Sequence, residues 1–117
     1  MILKPAELLK LLSDPTRLRS LMLLLREGEL CVCELTHALD EIQPKISRHL
    51  AALRDLQVVM DQRAGQWIYY RINPKLPAWA FDILNATLAG MKNDRQHVAD
   101  LQTLRQMPNR PENRICA

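Results

Sequence analysis

Apolar residues recur every three or four positions over most of the chain, which predicts a mainly α-helical protein. Polar or helix-breaking residues interrupt this pattern at short intervals in the first half. The predicted helices are 5–12, a second that is capped by Asp14 and ends at Gly28, a third over 31–39, and a fourth that opens at Gln43.

The third and fourth predicted helices are joined by only three residues, a spacing typical of a helix-turn-helix. In the fourth, Ile46, Leu50 and Leu53 form an apolar stripe, so the basic and hydroxyl groups of its first two turns lie away from the core. Such a face is typical of a DNA recognition helix. If this helix is considered by itself, an ordinary solvent-exposed face explains the same pattern equally well. His49, at the edge of the stripe, either donates to a phosphate or fills space. The predicted DNA contacts on this helix are Gln43, Lys45, Ser47, Arg48 and His49.

The apolar period changes to two after Leu56, which predicts a β-hairpin with strands near 58–60 and 66–72 and a turn at 63–65. A helix-turn-helix followed by a hairpin is the order of a winged helix. Arg63 is the preferred candidate for a DNA contact at the tip, ahead of Gln66, although a hairpin can also serve only as a lid. One face of the second strand is predicted to pack and the other to be free for a partner.

The segment from Ala78 to Met107 is predicted to be a single helix about 45 Å long, which exceeds the diameter of so small a domain. A second copy of the chain is therefore expected to cover part of it. The predicted organisation is a winged helix-turn-helix DNA-binding and dimerisation domain over 1–107, mainly α with a β-hairpin and homodimeric through its terminal helices. Residues 108–117 are predicted to be a flexible tail.

Length and composition narrow the class of protein. The 117 residues are enough for one domain, and 48% hydrophobic with 25% charged residues is ordinary for a soluble protein. The start of the chain lacks a secretory signal pattern, which favours a cytoplasmic location. A net charge of +3 permits nucleic-acid binding without requiring it. No catalytic constellation is present, so neither an enzyme nor an obligatory cofactor is expected.

Cys31 and Cys33 are the unusual chemical feature, and they are expected to be reduced and to bind a soft ion. Side chains two positions apart on a regular helix point about 200° away from each other, so one ion can bridge them only if the helix start is distorted. This predicts a switch in which ligand binding lowers DNA affinity. Cys116 is a candidate third ligand. A thiol-redox sensor, a metal carrier, and a winged helix used only for protein contact remain as alternatives.

Three stretches resemble the ArsR-type repressors of the ArsR/SmtB winged-helix family. They are Leu12-Ser13-Asp14-Pro15-Thr16-Arg17-Leu18, Glu29-Leu30-Cys31-Val32-Cys33-Glu34-Leu35 and Gln43-Pro44-Lys45-Ile46-Ser47-Arg48-His49-Leu50. The resemblance implies a homodimer that represses an arsenic-resistance operon on double-stranded operator DNA. It also implies release when As(III) or Sb(III), as inducer, binds the cysteines at the start of the third helix.

The chain departs from this family pattern at two places. Thr36 stands where many related repressors carry a third cysteine, so the third inducer ligand would come from solvent, a small thiol or Cys116. A shift of preference toward an organoarsenical is another consequence of the same change. Asp94, His97 and Asp100 do not reproduce the ligand pattern of the zinc-sensing branch, so zinc is not expected there.

Overall fold

The computed structural model describes residues 3–111, which form six helices and three strands. The first four helices agree with the sequence prediction, apart from the first residue of the third. The elements are α1 (Pro5–Leu12), α2 (Pro15–Glu27), β1 (Glu29–Cys31), α3 (Val32–Leu39), α4 (Gln43–Asp55), β2 (Val59–Ala64), β3 (Trp67–Ile72), α5 (Ala78–Gly90) and α6 (Arg95–Arg105).

Local capping chemistry sets the bounds of α2. At its start, Asp14 Oδ2 accepts a hydrogen bond from the backbone N–H of Arg17 at 3.0 Å. At its end, Gly28 adopts φ 89° and its N–H donates to the carbonyl of Leu24 at 2.8 Å. A residue with a side chain is strained at this φ, so glycine is the favoured residue here.

The hydrophobic core lies where α2 meets α3, α4 and the sheet. Ile46, Leu50 and Leu53, the predicted inner stripe of α4, are all fully buried. Burying each such side chain contributes about 1.5–3 kcal/mol. The stripe therefore fixes which face of α4 is directed outward.

The sheet is antiparallel with the order β1-β3-β2, and β1 was not predicted. Three residues are too few to show a period of two, and β1 exists because it pairs with β3, where Cys31 lies opposite Tyr69. Tyr69 and Tyr70, on opposite faces of β3, are 1% and 5% exposed, so both faces of this strand are covered at these positions, although one face was predicted to be free. The hairpin turn lies at Gly65 and Gln66, because β2 continues to Ala64.

The prediction of one continuous helix from Ala78 to Met107 is wrong. Helix α5 ends at Gly90, and α6 begins after Asp94, whose Oδ2 accepts from the backbone N–H of His97 at 3.1 Å. Helix α6 then packs against α2 and α3. The apolar spacing continued across the break, but α5 ends at Gly90 and Asp94 caps the start of a new helix. The expected 45 Å helix, and the argument for a second copy drawn from its length, therefore do not apply.

Candidate nucleic-acid interface and ligand site

The outer face of α4 carries the residues predicted to contact DNA, at different degrees of exposure. Gln43 and Arg48 are exposed, whereas Lys45 and Ser47 are half-buried. Lys45 Nζ donates to Glu41 Oε1 at 3.0 Å, which holds this cation beside the first turn of the helix. The first two turns of α4 therefore present amide and hydroxyl groups at Gln43 and Ser47 and cationic groups at Lys45 and Arg48.

His49 lies inward from that face and is 8% exposed. Its Nδ1 is 3.3 Å from Arg17 Nη1 and 3.8 Å from Asp14 Oδ2. A guanidinium can only donate, so Nδ1 is the acceptor and the imidazole is neutral in this contact. Burial lowers the pKa of His49, and the positive charge of Arg17 acts in the same direction while Asp14 opposes it. His49 thus fastens α4 to the start of α2.

The hairpin places Arg63 exposed on β2, paired with Ile68 one step before the last pair of the ladder. Sequence reasoning overlooked Ile42, the N-cap of α4, which is 70% exposed and the most exposed of the large apolar residues in the described chain. An isoleucine within the otherwise polar break between α3 and α4 was the available signal. Ile42 adds an exposed apolar side chain to the otherwise polar start of α4.

Cys31 and Cys33 are joined by a disulfide in this structure, which corrects the expectation of reduced thiols. Cys31 is the extended last residue of β1, with φ −82° and ψ 162°, and Cys33 lies in the first turn of α3. The two side chains therefore do not share a regular helix, and the geometric obstacle inferred from helical spacing is absent. Because Cys31 pairs with β3, the cysteine pair connects the start of α3 directly to the hairpin.

A buried carboxylate supports the start of α3. Glu34 is fully buried, and its Oε1 accepts from the backbone N–H of Cys31 at 2.9 Å. Its other carboxylate oxygen forms an ion pair with Arg110, which also reaches Glu27 at 3.4 Å. These contacts hold residue 110, in the segment predicted to be a flexible tail, against α3. Residues 112–117, including Cys116, lie outside the described residues.

A groove of about 540 Å³ runs between α3, α4 and the hairpin. Of the lining residues in the described chain, only Arg54 is charged. The groove brings the predicted ligand residue Cys33 and the predicted DNA contacts Gln43 and Ser47 onto one surface, whereas Cys31 is fully buried. Residues that define its three walls are Cys33 and Thr36 of α3, Gln43, Ser47 and Arg54 of α4, and Trp67 of the hairpin.

Within residues 3–111, no group of three His, Cys, Asp or Glu side chains is arranged to hold a metal ion. Thr36 Oγ1 donates to the carbonyl of Cys33 at 2.9 Å, so this hydroxyl is engaged with its own helix. None of the described helices has the length and apolar character needed to cross a bilayer.

Comparison with known proteins assigns this arrangement to a family. The model of "Bacterial regulatory protein, arsR family" matches residues 14–60. The arsenic resistance transcriptional regulator ArsR1 of Pseudomonas putida is 49% identical over 99% of this chain and 90% of its own length. The arsenical resistance operon repressor of Escherichia coli is 52% identical over 71% of each chain. The crystal structure of the AntR antimony-specific transcriptional repressor superposes with a TM-score of 0.62 at 32% identity, covering 76% of this chain and 78% of that one.

A helix-turn-helix followed by a wing, shared with regulators of known structure, defines a winged-helix DNA-binding transcriptional regulator. The chain belongs to the arsR family of bacterial regulatory proteins. The fold class and the family resemblance predicted from sequence are both confirmed.

Proposed function

We propose that this regulator represses an arsenic-resistance operon and leaves its operator when As(III) or Sb(III) binds Cys31 and Cys33. The single observation that carries the proposal is the position of the cysteine pair, which joins the strand beside the hairpin to the helix before α4. The names of the two arsenic-resistance relatives and of the antimony-specific repressor support the same ligand class.

The DNA interface comprises the start of α4 and the tip of the hairpin. Gln43, Ser47 and Arg48 reach the major groove and its phosphates, and Lys45 adds charge beside them. Arg63 meets the backbone from the hairpin. His49 acts by holding α4 in place through Arg17, because its side chain is buried. Ile42 packs against a thymine methyl group, the apolar feature of the major groove.

Metalloid binding requires the dithiol form of the cysteine pair. A small-molecule thiol reduces the disulfide by exchange: two thiol molecules are oxidised to their own disulfide, and their hydrogens pass to Cys31 and Cys33. Each cysteine sulfur then displaces one hydroxide from As(OH)₃ as water, without any change in oxidation state. Soft thiolates are the ligands that such an ion prefers.

We attribute release of DNA to the two elements that the cysteine pair connects, the hairpin and α3. The β1–β3 ladder links Cys31 to the hairpin, and Cys33 lies on the helix that packs against α4. A ligand that favours one arrangement of this junction shifts the population toward it. The hairpin and α4 can then no longer contact the DNA at the same time. Cys116 remains a candidate third ligand, since the six residues after Arg110 can span about 20 Å when extended.

Dimerisation is proposed through α1 and α5. In α5 only Ala80 and Leu84 are buried, although most of its residues are apolar. On α1, Leu9 is 53% exposed. A second copy that covers these faces would bury them and would place two copies of α4 on DNA, as helix-turn-helix dimers require. Light scattering of the purified protein at about twice 13.5 kDa is the expected result.

The decisive experiment is fluorescence anisotropy of labelled DNA from upstream of the protein's own gene, with phosphine-reduced protein and added arsenite. Wild type is expected to bind and then release this DNA. Cys31→Ser and Cys33→Ser are expected to bind but not to release, and Cys116→Ser reports whether the third cysteine participates. Normal release by Cys33→Ser would contradict the site assignment, and failure of the reduced wild type to bind any DNA would contradict the repressor proposal.

Thiol-redox sensing is a second candidate, favoured by the disulfide itself. A peroxide would take one hydrogen from each thiol, form the Cys31–Cys33 bond and be reduced to water. In this case peroxide releases DNA, phosphine restores binding, and arsenite has no effect on the reduced protein. The same anisotropy assay therefore separates the two candidates.

A further inference from the structure

Trivalent arsenic forms three bonds, but the described chain offers only two cysteine thiols, Cys31 and Cys33. Thr36, one turn after Cys33, directs its hydroxyl hydrogen to the Cys33 carbonyl, and a neutral hydroxyl is a poor partner for a soft ion. Cys31 is fully buried, whereas Cys33 and Thr36 both line the 540 Å³ groove. The third coordination position of an ion held by the two cysteines would therefore open toward this groove.

We propose that the groove binds a low-molecular-weight peptide thiol, of which glutathione is the probe, as the third ligand of the bound metalloid. This inference rests on the proposed function. The reaction is a condensation: As(OH)₃, the two cysteine thiols and the peptide thiol give three As–S bonds and three water molecules, and arsenic stays trivalent. A third thiolate is preferred to water by the same softness that selects the first two.

The lining of the groove suits a small peptide with carboxylates. Its volume falls within the about 300–1,000 Å³ of typical small-molecule sites. Gln43 and Ser47 offer hydrogen bonds to amide groups, and Trp67 offers an apolar surface. Arg54 supplies positive charge on the α4 wall; its side chain is 44% exposed and forms ion pairs with Asp61 at 3.3 Å and Asp55 at 3.8 Å. None of the lining residues in the described chain is acidic.

The position of the groove also connects this ligand to DNA release. Gln43 and Ser47 line it and belong to the proposed DNA interface. A peptide held there would occupy the space between α4 and the hairpin and would engage the groups that meet DNA. Binding of the metalloid–thiol adduct and binding of DNA are then mutually exclusive, which is a negative coupling between the two ligands.

The test is the arsenite titration of the DNA complex in phosphine, with and without glutathione. We expect glutathione to lower the arsenite concentration at half-release by at least about fivefold. S-methylglutathione, which lacks the thiol, is expected to have no effect. Native mass spectrometry is expected to show protein, arsenic and glutathione in a 1:1:1 adduct. Cys116→Ser is expected to retain the glutathione effect.

Thr36→Cys supplies a third thiolate one turn from Cys33 and is the matched variant. It should release DNA at low arsenite even without glutathione, whereas Thr36→Ser, like wild type, should reach half-release at low arsenite only when glutathione is present. If glutathione leaves the half-release concentration of wild type unchanged, or raises it by sequestering arsenite in solution, the inference is overturned while the proposed function stands. If arsenite releases DNA from neither wild type nor Thr36→Cys under any condition, the proposed function fails and the inference fails with it.

Discussion

Replacing Asp100 by alanine removes the acceptor of an ion pair that ties α6 to α2. Asp100 is 2% exposed, and its Oδ1 and Oδ2 accept from Arg19 Nη2 at 2.8 Å and Nε at 2.9 Å. Gln96 also donates to Oδ1 at 2.9 Å. Arg19 Nη2 further donates to the carbonyl of Leu39 at 3.3 Å, so this guanidinium links its own helix α2 to both α6 and α3.

The magnitude follows from the geometry and the burial of this pair. Paired parallel hydrogen bonds between a guanidinium and a carboxylate are among the strong ones, and the hydrogen bond to Asp100 raises the pKa of Arg19. Removing one partner of a buried ion pair lowers the free energy of unfolding by about 3–5 kcal/mol. The Arg19 side chain retains 18% exposure, which lets water partly solvate it. We therefore expect Asp100→Ala to lower the free energy of unfolding by about 3 kcal/mol.

Urea denaturation followed by circular dichroism at one fixed protein concentration measures this loss. Arg105→Ala is the control, because Arg105 is 55% exposed and 3.5 Å from Glu27, and its loss should cost less than about 1 kcal/mol. Arg19→Met/Asp100→Leu should be more stable than Asp100→Ala, since it leaves no unpaired charge. A loss of under about 1 kcal/mol for Asp100→Ala would refute the reasoning.

Three further predictions concern DNA binding and pH. Arg48→Ala should weaken binding to operator and unrelated DNA alike and reduce the salt slope of log affinity by about 1 in anisotropy titrations, and an unchanged slope would argue against a phosphate contact. Replacing operator thymines by deoxyuridine, one at a time, should lower the DNA affinity of wild type about fourfold at one position and leave the affinity of Ile42→Ser unchanged there. Equal losses of affinity in the two proteins would show that Ile42 does not contact a thymine methyl group. Burial lowers the pKa of His97 in the folded protein, so this histidine is protonated at a higher pH in the unfolded chain than in the folded one. The free energy of unfolding therefore falls as pH drops below about 6.5. His97→Gln should flatten that fall in urea denaturation and His37→Gln, at an exposed position, should not.

Much of the helical framework was predictable because its signals are local. Asp14 and Gly28 bound α2 through contacts within four residues, and the apolar stripe of α4 is readable at helical spacing. The same kind of local signal was present at Gly90 and Asp94, but the continuing apolar pattern concealed it. Strand β1 had no such signal, since its three residues become a strand only through β3.

The candidate site was predictable as a set of residues but not as an arrangement. Sequence alone predicted Cys33, Ser47 and Arg48 as site residues, from residue type and from their order along a helix-turn-helix. The convergence of the cysteines, the burial of His49 and the common groove of Cys33 with Ser47 required the folded chain. The reason is physical: capping and amphipathic spacing act over one or two turns, whereas these distances depend on how strands and helices far apart in sequence pack together.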